Sequence, residues 1–346
     1  MNGSAPLPLR PPAPGPVGVT VLGTGHALPA TVLTSAALDA RLGLAPGTVQ
    51  RHGGVRQRHV AAQGETAAAL AACAAERALQ AAGLAWDDID ALVAASGTPD
   101  QAMPCNAALV HQALGLSGRG VPAFDLGASC LGFLVALDTL SWAIAAGRYR
   151  RVMVVAADIA SCGLDWQTLE AAALFGDGAA AAVLGLDPTR PEAGLRATEL
   201  RTLSEGAGLC RIEAGGSRFH PARGVTDFDS RTRFRMDGPA VFRLASQHLP
   251  GIVHDLLRRA GLTPREIDWV VPHQASDLAL AHLRRRLGFR REQVVDILAD
   301  HGNQIAASLP TALDIAVRDG RIRRGQNLLL LGTGAGLSLG GAVLRY

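Results

Sequence analysis

The feature that most restricts what this chain can fold into is that it repeats itself. Ala82-Gly83-Leu84, followed by Asp88-Ile89-Asp90-Ala91-Leu92-Val93, returns 178 residues later as Ala260-Gly261-Leu262, followed by Glu266-Ile267-Asp268-Trp269-Val270-Val271. Each copy reads as a helix stopped at a glycine, then a short acidic turn feeding an apolar strand. A second pair keeps the same order. Gly147-Arg148-Tyr149-Arg150-Arg151 is echoed 173 residues on by Gly320-Arg321-Ile322-Arg323-Arg324, and each precedes an apolar strand, 152–156 and 327–331. One such match could be chance, whereas two in the same order indicate duplication.

The strands within the repeat are continuous apolar runs that alternate with helical stretches, as expected of an α/β sheet covered on both faces. With 346 residues, 48% of them hydrophobic, the chain can build two cores. We expect two similar α/β halves, 18–190 and 191–346, meeting near residues 186–195. Ahead of them, residues 1–17 carry Pro6, Pro8, Pro11, Pro12, Pro14 and Pro16, and read as a flexible lead-in that joins no helix or central strand. In such folds the loops at the strand C-terminal ends gather the ligand site, so both halves should contribute to it.

Several function classes drop out. The chain has no lysine, all 33 basic residues being Arg, so neither Schiff-base chemistry nor a phosphate-loop lysine is available. Cys73, Cys105, Cys130, Cys162 and Cys210 are odd in number and scattered, which supports neither a disulfide scaffold nor a metal site. A net charge of +3 and 4% aromatic residues argue against nucleic acid as a partner. With no long apolar run and no signal-peptide layout, the expected location is the cytoplasm, without membrane insertion. Two arginine clusters, Arg148/Arg150/Arg151 and Arg284/Arg285/Arg286/Arg290/Arg291, read either as solvated helix faces or as a surface for an acidic carrier or phosphorylated cofactor.

Cys130 sits where the apolar segment 121–125 ends and the apolar-periodic stretch 131–144 begins. The small residues Leu126-Gly127-Ala128-Ser129 permit a sharp strand-to-helix turn, and unpaired N–H groups at the helix start are expected to favour the thiolate. The alternative is a buried, unreactive cysteine. In the second half, Ile267–Val271 runs into Pro272-His273-Gln274-Ala275-Ser276, and His301-Gly302-Asn303-Gln304 marks another strand-end loop. A thiol, an imidazole and an amide together suit acyl transfer through a thioester. Two glycine loops, Gly23-Thr24-Gly25 and Gly332-Thr333-Gly334-Ala335-Gly336, look superficially like dinucleotide motifs. The first lacks its third glycine and the second has no βαβ unit after it, so close backbone approach is the better reading. Asp177, between Gly176 and Gly178, reads as a structural turn residue.

Taken in order, these residues resemble the β-ketoacyl-acyl-carrier-protein synthase III family of the thiolase superfamily. The resemblance spans about residues 18–346. It rests on the segments 54–59 (GVRQRH), 125–133 around Cys130, 175–178 (FGDG), 236–238 (MDG) with Val241-Phe242, 272–275 (PHQA), and Gly302-Asn303 with 306–310 (AASLP). It implies a thiolase-like fold of two duplicated α/β halves layered αβαβα, a homodimer, and no cofactor beyond acyl-CoA or acyl-carrier-protein thioesters. Cys130 would accept the acyl group. His273 and Asn303 would bind a malonyl thioester and stabilise the enolate left by its decarboxylation, and the amides of Cys130 and Ala335 would form an oxyanion hole. Met103, contributed by the partner subunit, and Phe175 would bound the acyl pocket.

Departures from the family pattern fall on substrate delivery. Thr48 and His52, with Arg51 adjacent, stand where Trp and Arg commonly grip the CoA adenine, and Leu278 stands where a carrier- and CoA-binding Arg is usual. Arg285 and Arg286 match a basic pair used toward the acidic carrier, which favours the carrier as donor of at least one substrate. No Glu occurs between 95 and 129, against relatives that use a glutamate base there. The expected function is decarboxylative Claisen condensation in fatty-acid or specialised lipid or polyketide synthesis. The alternatives are an acyltransferase of the same fold acting on an alcohol or amine, and a non-catalytic partner subunit.

Overall fold

The duplicated segments fold into matching strands in two sheets of nearly the same connectivity. A computed structural model describes residues 18–346; the proline-rich lead-in expected over 1–17 lies outside the described residues. Along the chain run β1 (Val19–Ala27), β2 (Thr31–Thr34), β3 (Gln57–Val60), β4 (Ala91–Ala94), β5 (Ala123–Asp125), β6 (Arg151–Asp158) and β7 (Gly178–Leu186). Then follow β8 (Gly194–Thr202), β9 (Cys210–Arg211), β10 (Arg235–Met236), β11 (Trp269–Pro272), β12 (Asn327–Gly334) and β13 (Ser338–Arg345).

The first sheet has the order β1-β7-β6-β4-β5 and the second β11-β12-β13-β8. In both, one parallel pair (β4–β6, β11–β12) is followed by two antiparallel ones. Where β5 pairs with β4 in the first half, the second has only the single bridge Val270–Val294. The helices Ala67–Ala82 and Gly238–Ala260 both stop at a glycine in the left-handed region, Gly83 (φ 65) and Gly261 (φ 66), as the repeated Ala-Gly-Leu requires.

Five layers result. The helix 67–82 covers the outer face of the first sheet and the helix 238–260 that of the second, while Gly132–Ala145 and Ser308–Arg318 fill the space between the sheets. The continuous apolar strands are explained by this sandwich: Val152 and Val154 face the central helices, whereas Met153, Val155 and Ala157 face the outer helix. The two halves are also tied by a repeated polar contact. Thr24 on β1 donates to buried Asp314 of the helix 308–318 (2.7 Å), and Thr198 on β8 donates to Asp138 of the helix 132–145 (2.7 Å). The α/β reading with duplicated, thiolase-like halves is borne out.

Gly23 is not part of a nucleotide loop. A Cβ there would lie 2.5 Å from the carbonyl oxygen of Ala78, so the glycine exists to let β1 touch the alanine-rich helix.

Candidate active site

Two strand ends, one helix end and one glycine loop converge at the interface of the two halves; the loop of Asn303, expected at a strand end, instead follows the short helix Leu298–His301. Cys130 lies in a short 3-10 turn, Ser129–Leu131, beyond β5, and the following α-helix starts at Gly132, one residue later than the apolar pattern indicates. Gly334 allows the loop after β12 to approach this turn, since a Cβ on it would sit 3.3 Å from the Leu131 amide nitrogen. The backbone amides of Ala335 and of Cys130 itself are thereby turned toward the sulfur.

The expected thiolate is corrected by the structure. Burial pushes the Cys130 thiol up to about 12, and the charge of Asp158 adds to the effect; the two amides oppose it without overcoming it. Loss of water around the sulfur outweighs dipoles from a helix whose first residue comes only after it. The resting Cys130 side chain is therefore a neutral thiol.

His273 follows β11 directly. Its amide donates to Leu331 O on β12 (2.7 Å), and Gly332 on the same strand fits between the His273 Cβ and the Leu131 side chain. The residue is 6% exposed, and burial pushes the imidazole down to about 4, so it is neutral near pH 7. Its Nδ1 is buried without a hydrogen-bond partner among the described residues.

Asn303 lies between β7's entry loop and the helix 308–318. Its amide donates to Leu174 O (2.8 Å) and its carbonyl accepts from Gly176 N–H (3.1 Å). The side-chain Oδ1 accepts from Ile305 N–H (2.9 Å) and the Ser308 hydroxyl (3.4 Å), which leaves the NH2 end of the amide as the donor. Phe175 bridges Asn303 on the backbone and packs edge-on against Phe234 (4.9 Å between centroids), with Leu174, Met236 and Ile305 around them.

The remaining candidate residues singled out from sequence are exposed, Asp177 apart. Met103 is 84% exposed, on the loop between β4 and the helix Asn106–Ala113, whose first amides, Asn106 and Ala107, donate to Asp125 of the edge strand β5. Arg51 and His52 are exposed on the short helix Thr48–Gly53, where Arg51 is folded back onto Pro46 O (3.2 Å) and the Thr48 hydroxyl (3.2 Å). That helix abuts the start of Asp277–Leu287 through Gly54 and Asp277, and Arg285 and Arg286 are exposed at the far end of the latter. Leu278 is 60% exposed at its start. Asp177 is structural: its carboxylate accepts from Ala61 N–H (2.7 Å), Ser161 N–H (2.9 Å) and the Ser161 hydroxyl (2.6 Å).

Sequence reasoning missed Asp158. It ends the apolar run of β6, fully buried, at the same kind of strand terminus that holds His273, and a carboxylate closing an otherwise apolar strand was the signal available. It also missed Phe234, and it took Met236 only as part of the 236–238 segment; the place of both beside Phe175 depends on how the segment 203–236 folds back.

Among the described residues no helix is long and apolar enough to cross a membrane, and no cluster of His, Cys, Asp and Glu could hold a metal ion. Residues 124–204 match the family described as 3-oxoacyl-[acyl-carrier-protein] synthase III, and residues 257–346 match its C-terminal family. The β-ketoacyl-[acyl-carrier-protein] synthase III of Thiobacillus denitrificans is 42% identical over 326 residues, covering 94% of this chain and 98% of the relative. The crystal structure of 3-oxoacyl-(acyl carrier protein) synthase III from Pseudomonas aeruginosa superposes with a TM-score of 0.85 at 37% identity, covering 95% of this chain and 98% of that one. The priming β-ketosynthase of the R1128 polyketide biosynthetic pathway superposes at 0.84 with 30% identity, covering 98% of both chains. With its duplicated fold, its matches to both family models and a relative 42% identical over 94% of its length, the chain belongs to the β-ketoacyl-[acyl-carrier-protein] synthase III family of condensing enzymes.

Proposed function

We propose that this chain condenses an acyl group held on Cys130 with malonyl-acyl carrier protein, releasing carbon dioxide and a 3-oxoacyl carrier. The observation that carries the reading is the convergence of a thiol beneath two amides with a neutral imidazole and an amide held by its oxygen. Residues 18–190 supply the nucleophile and 191–346 the two side-chain donors.

In the first step Cys130 attacks the donor thioester. The S–C bond forms, the donor's C–S bond breaks, and the thiol proton leaves with the departing thiolate. The amides of Cys130 and Ala335 receive the negative charge on the acyl oxygen. In the second step the malonyl thioester loses carbon dioxide, and the electron pair of the broken C–C bond becomes an enolate whose oxygen accepts hydrogen bonds from His273 and Asn303. A neutral imidazole donates without having to be held as a buried cation. The enolate carbon attacks the acyl carbonyl, the Cys130 S–C bond breaks, and the thiolate released takes a proton from solvent to replace the one lost with the donor thiol. Each preorganised donor of this kind contributes roughly 10²–10³ in rate.

Arg285 and Arg286, exposed and free of acidic partners among the described residues, support an acidic carrier as the source of at least one substrate. Leu278, Thr48 and the folded-back Arg51 are a poor grip for free CoA. The exposed Met103, on the loop before the helix held to the edge strand β5, supports a homodimer in which it closes the partner's acyl pocket.

The test is intact-protein mass of wild type and Cys130→Ser after incubation with acyl-CoAs and acyl carriers, followed by malonyl carrier. An adduct on wild type alone, discharged with carbon dioxide, is the expected result. Discharge only by an alcohol or amine, or no adduct at all, overturns the reading.

A further inference from the structure

The carboxylate of Asp158 grips both sides of the site at once. Its Oδ1 accepts from Gly97 N–H (2.8 Å), Thr98 N–H (2.7 Å) and the Thr98 hydroxyl (2.9 Å). Its Oδ2 accepts from Ala306 N–H (3.0 Å) and Ala307 N–H (3.3 Å). The residue is fully buried, and among the described residues no Arg or His forms an ion pair with it. The charge is held by N–H and O–H groups alone. The charge reaches the Cys130 sulfur and adds to the effect of burial in holding the thiol neutral.

What those donors belong to gives the contact its meaning. Gly97 lies against Ser129, whose carbonyl carbon would be 3.6 Å from a Cβ at that position, and against Ile305, whose Cγ2 would be 2.6 Å away. Ala306 and Ala307 are the first-turn amides of the helical segment 305–318, and Ile305 N–H is one of the two donors that fix the Asn303 amide. Among the described residues, Ser129 (φ 48) and Ile305 (φ 53) are the two non-glycine residues in the left-handed region. Such conformations persist only where the surroundings over-determine them, most of all for a β-branched residue. One precedes the nucleophile, the other follows Asn303 by two, and both pack on the loop that Asp158 holds.

The geometry points to Asp158 as a positioning residue that locks the Cys130 turn of the first half and the Asn303 turn of the second into a single register. The proposal rests on the condensing reading above, because it assigns Asn303 to the malonyl step and Cys130 to the acyl step.

The two oxygens serve different steps, so the proposal predicts a split. In Asp158→Asn the single remaining oxygen stays with the three donors of Gly97 and Thr98, and the new NH2 faces the Ala306 and Ala307 amides. The acyl adduct on Cys130 should then form within about threefold of the wild-type rate. Its discharge by malonyl carrier should slow about a hundredfold, the usual consequence of misplacing a group by about 1 Å. The measurement is single-turnover mass spectrometry of both steps on the full chain.

Equal slowing of both steps, or of neither, overturns the proposal. Should Asp158→Asn fail to fold, Thr98→Val carries the test in the opposite sense: it removes one donor on the nucleophile side only, so acylation slows several-fold while discharge is kept, and any other split overturns the proposal. If wild type itself forms no adduct, or forms one that malonyl carrier does not discharge, the condensing reading fails instead.

Discussion

Gly132 is the residue directly behind the Cys130 turn, and replacing it by Ala tests how that turn is held. Its backbone is ordinary α-helix (φ −47, ψ −48), so the glycine is not required for its conformational freedom. By helix propensity alone, Ala should stabilise by up to about 1 kcal/mol. The surroundings reverse the sign. A Cβ at 132 would lie 2.9 Å from the Ala95 carbonyl carbon, and closer still to its oxygen, where 3.4–4 Å is ordinary contact. Both partners are backbone, one beginning the helix and the other leaving β4, so no side chain can rotate out of the way. Overpacking of this kind costs about 1–3 kcal/mol, and an unyielding carbonyl puts it at the upper end, for a net loss of about 2 kcal/mol. For a chain of 346 residues that lowers Tm by roughly 3 °C. The strain relaxes by moving the Cys130 turn, and a displacement of about 1 Å reduces turnover by about a hundredfold.

Thermal unfolding and the condensation rate of Gly132→Ala should therefore both fall. Gly251→Ala is the control. That glycine lies within the helix 238–260, with nothing within 4 Å of an added Cβ, and the same substitution should raise Tm by about 1 °C and leave the rate alone. A Gly132→Ala enzyme with wild-type stability and rate would refute the close packing of the end of β4 against the helix 132–145.

His273→Ala and Asn303→Ala should each keep acyl-adduct formation while slowing discharge by malonyl carrier by roughly 10²–10³; slowed acylation instead would move these residues to the first step. With the Cys130 thiol held up at about 12, its alkylation by iodoacetamide should keep rising with pH beyond 9, and a plateau near pH 7–8 would show a stabilised thiolate. Burial lowers the His273 imidazole from 6.5 to about 4, so protons bind the unfolded chain first. Stability is then complete above pH 6.5 and is lost as the pH falls toward 4, by up to about 3 kcal/mol, and His273→Gln should flatten that slope in urea unfolding. Replacing Arg285 and Arg286 together by Ala should raise the KM for malonyl carrier about tenfold at low salt with kcat unchanged; an unaltered KM would place carrier docking elsewhere.

The duplication, the two glycine-stopped helices and the apolar strands were legible in the sequence because they obey short-range rules: a helix ends at a left-handed glycine, and a sheet covered on both faces needs apolar residues at successive positions. Cys130, His273 and Asn303 could be singled out as candidates for a related reason, since each stands just past a strand or helix end, where the backbone leaves its regular hydrogen-bonding pattern. What no local rule contains is the distance between segments hundreds of residues apart. Asp158 and Ala306 are 148 residues apart in the chain, and only the packing of the two halves makes one the acceptor of the other's N–H. The state of Cys130 was decided the same way: the helix that follows it argued for a thiolate, but burial and Asp158 prevailed, because desolvation depends on everything that surrounds an atom and not on its neighbours in sequence.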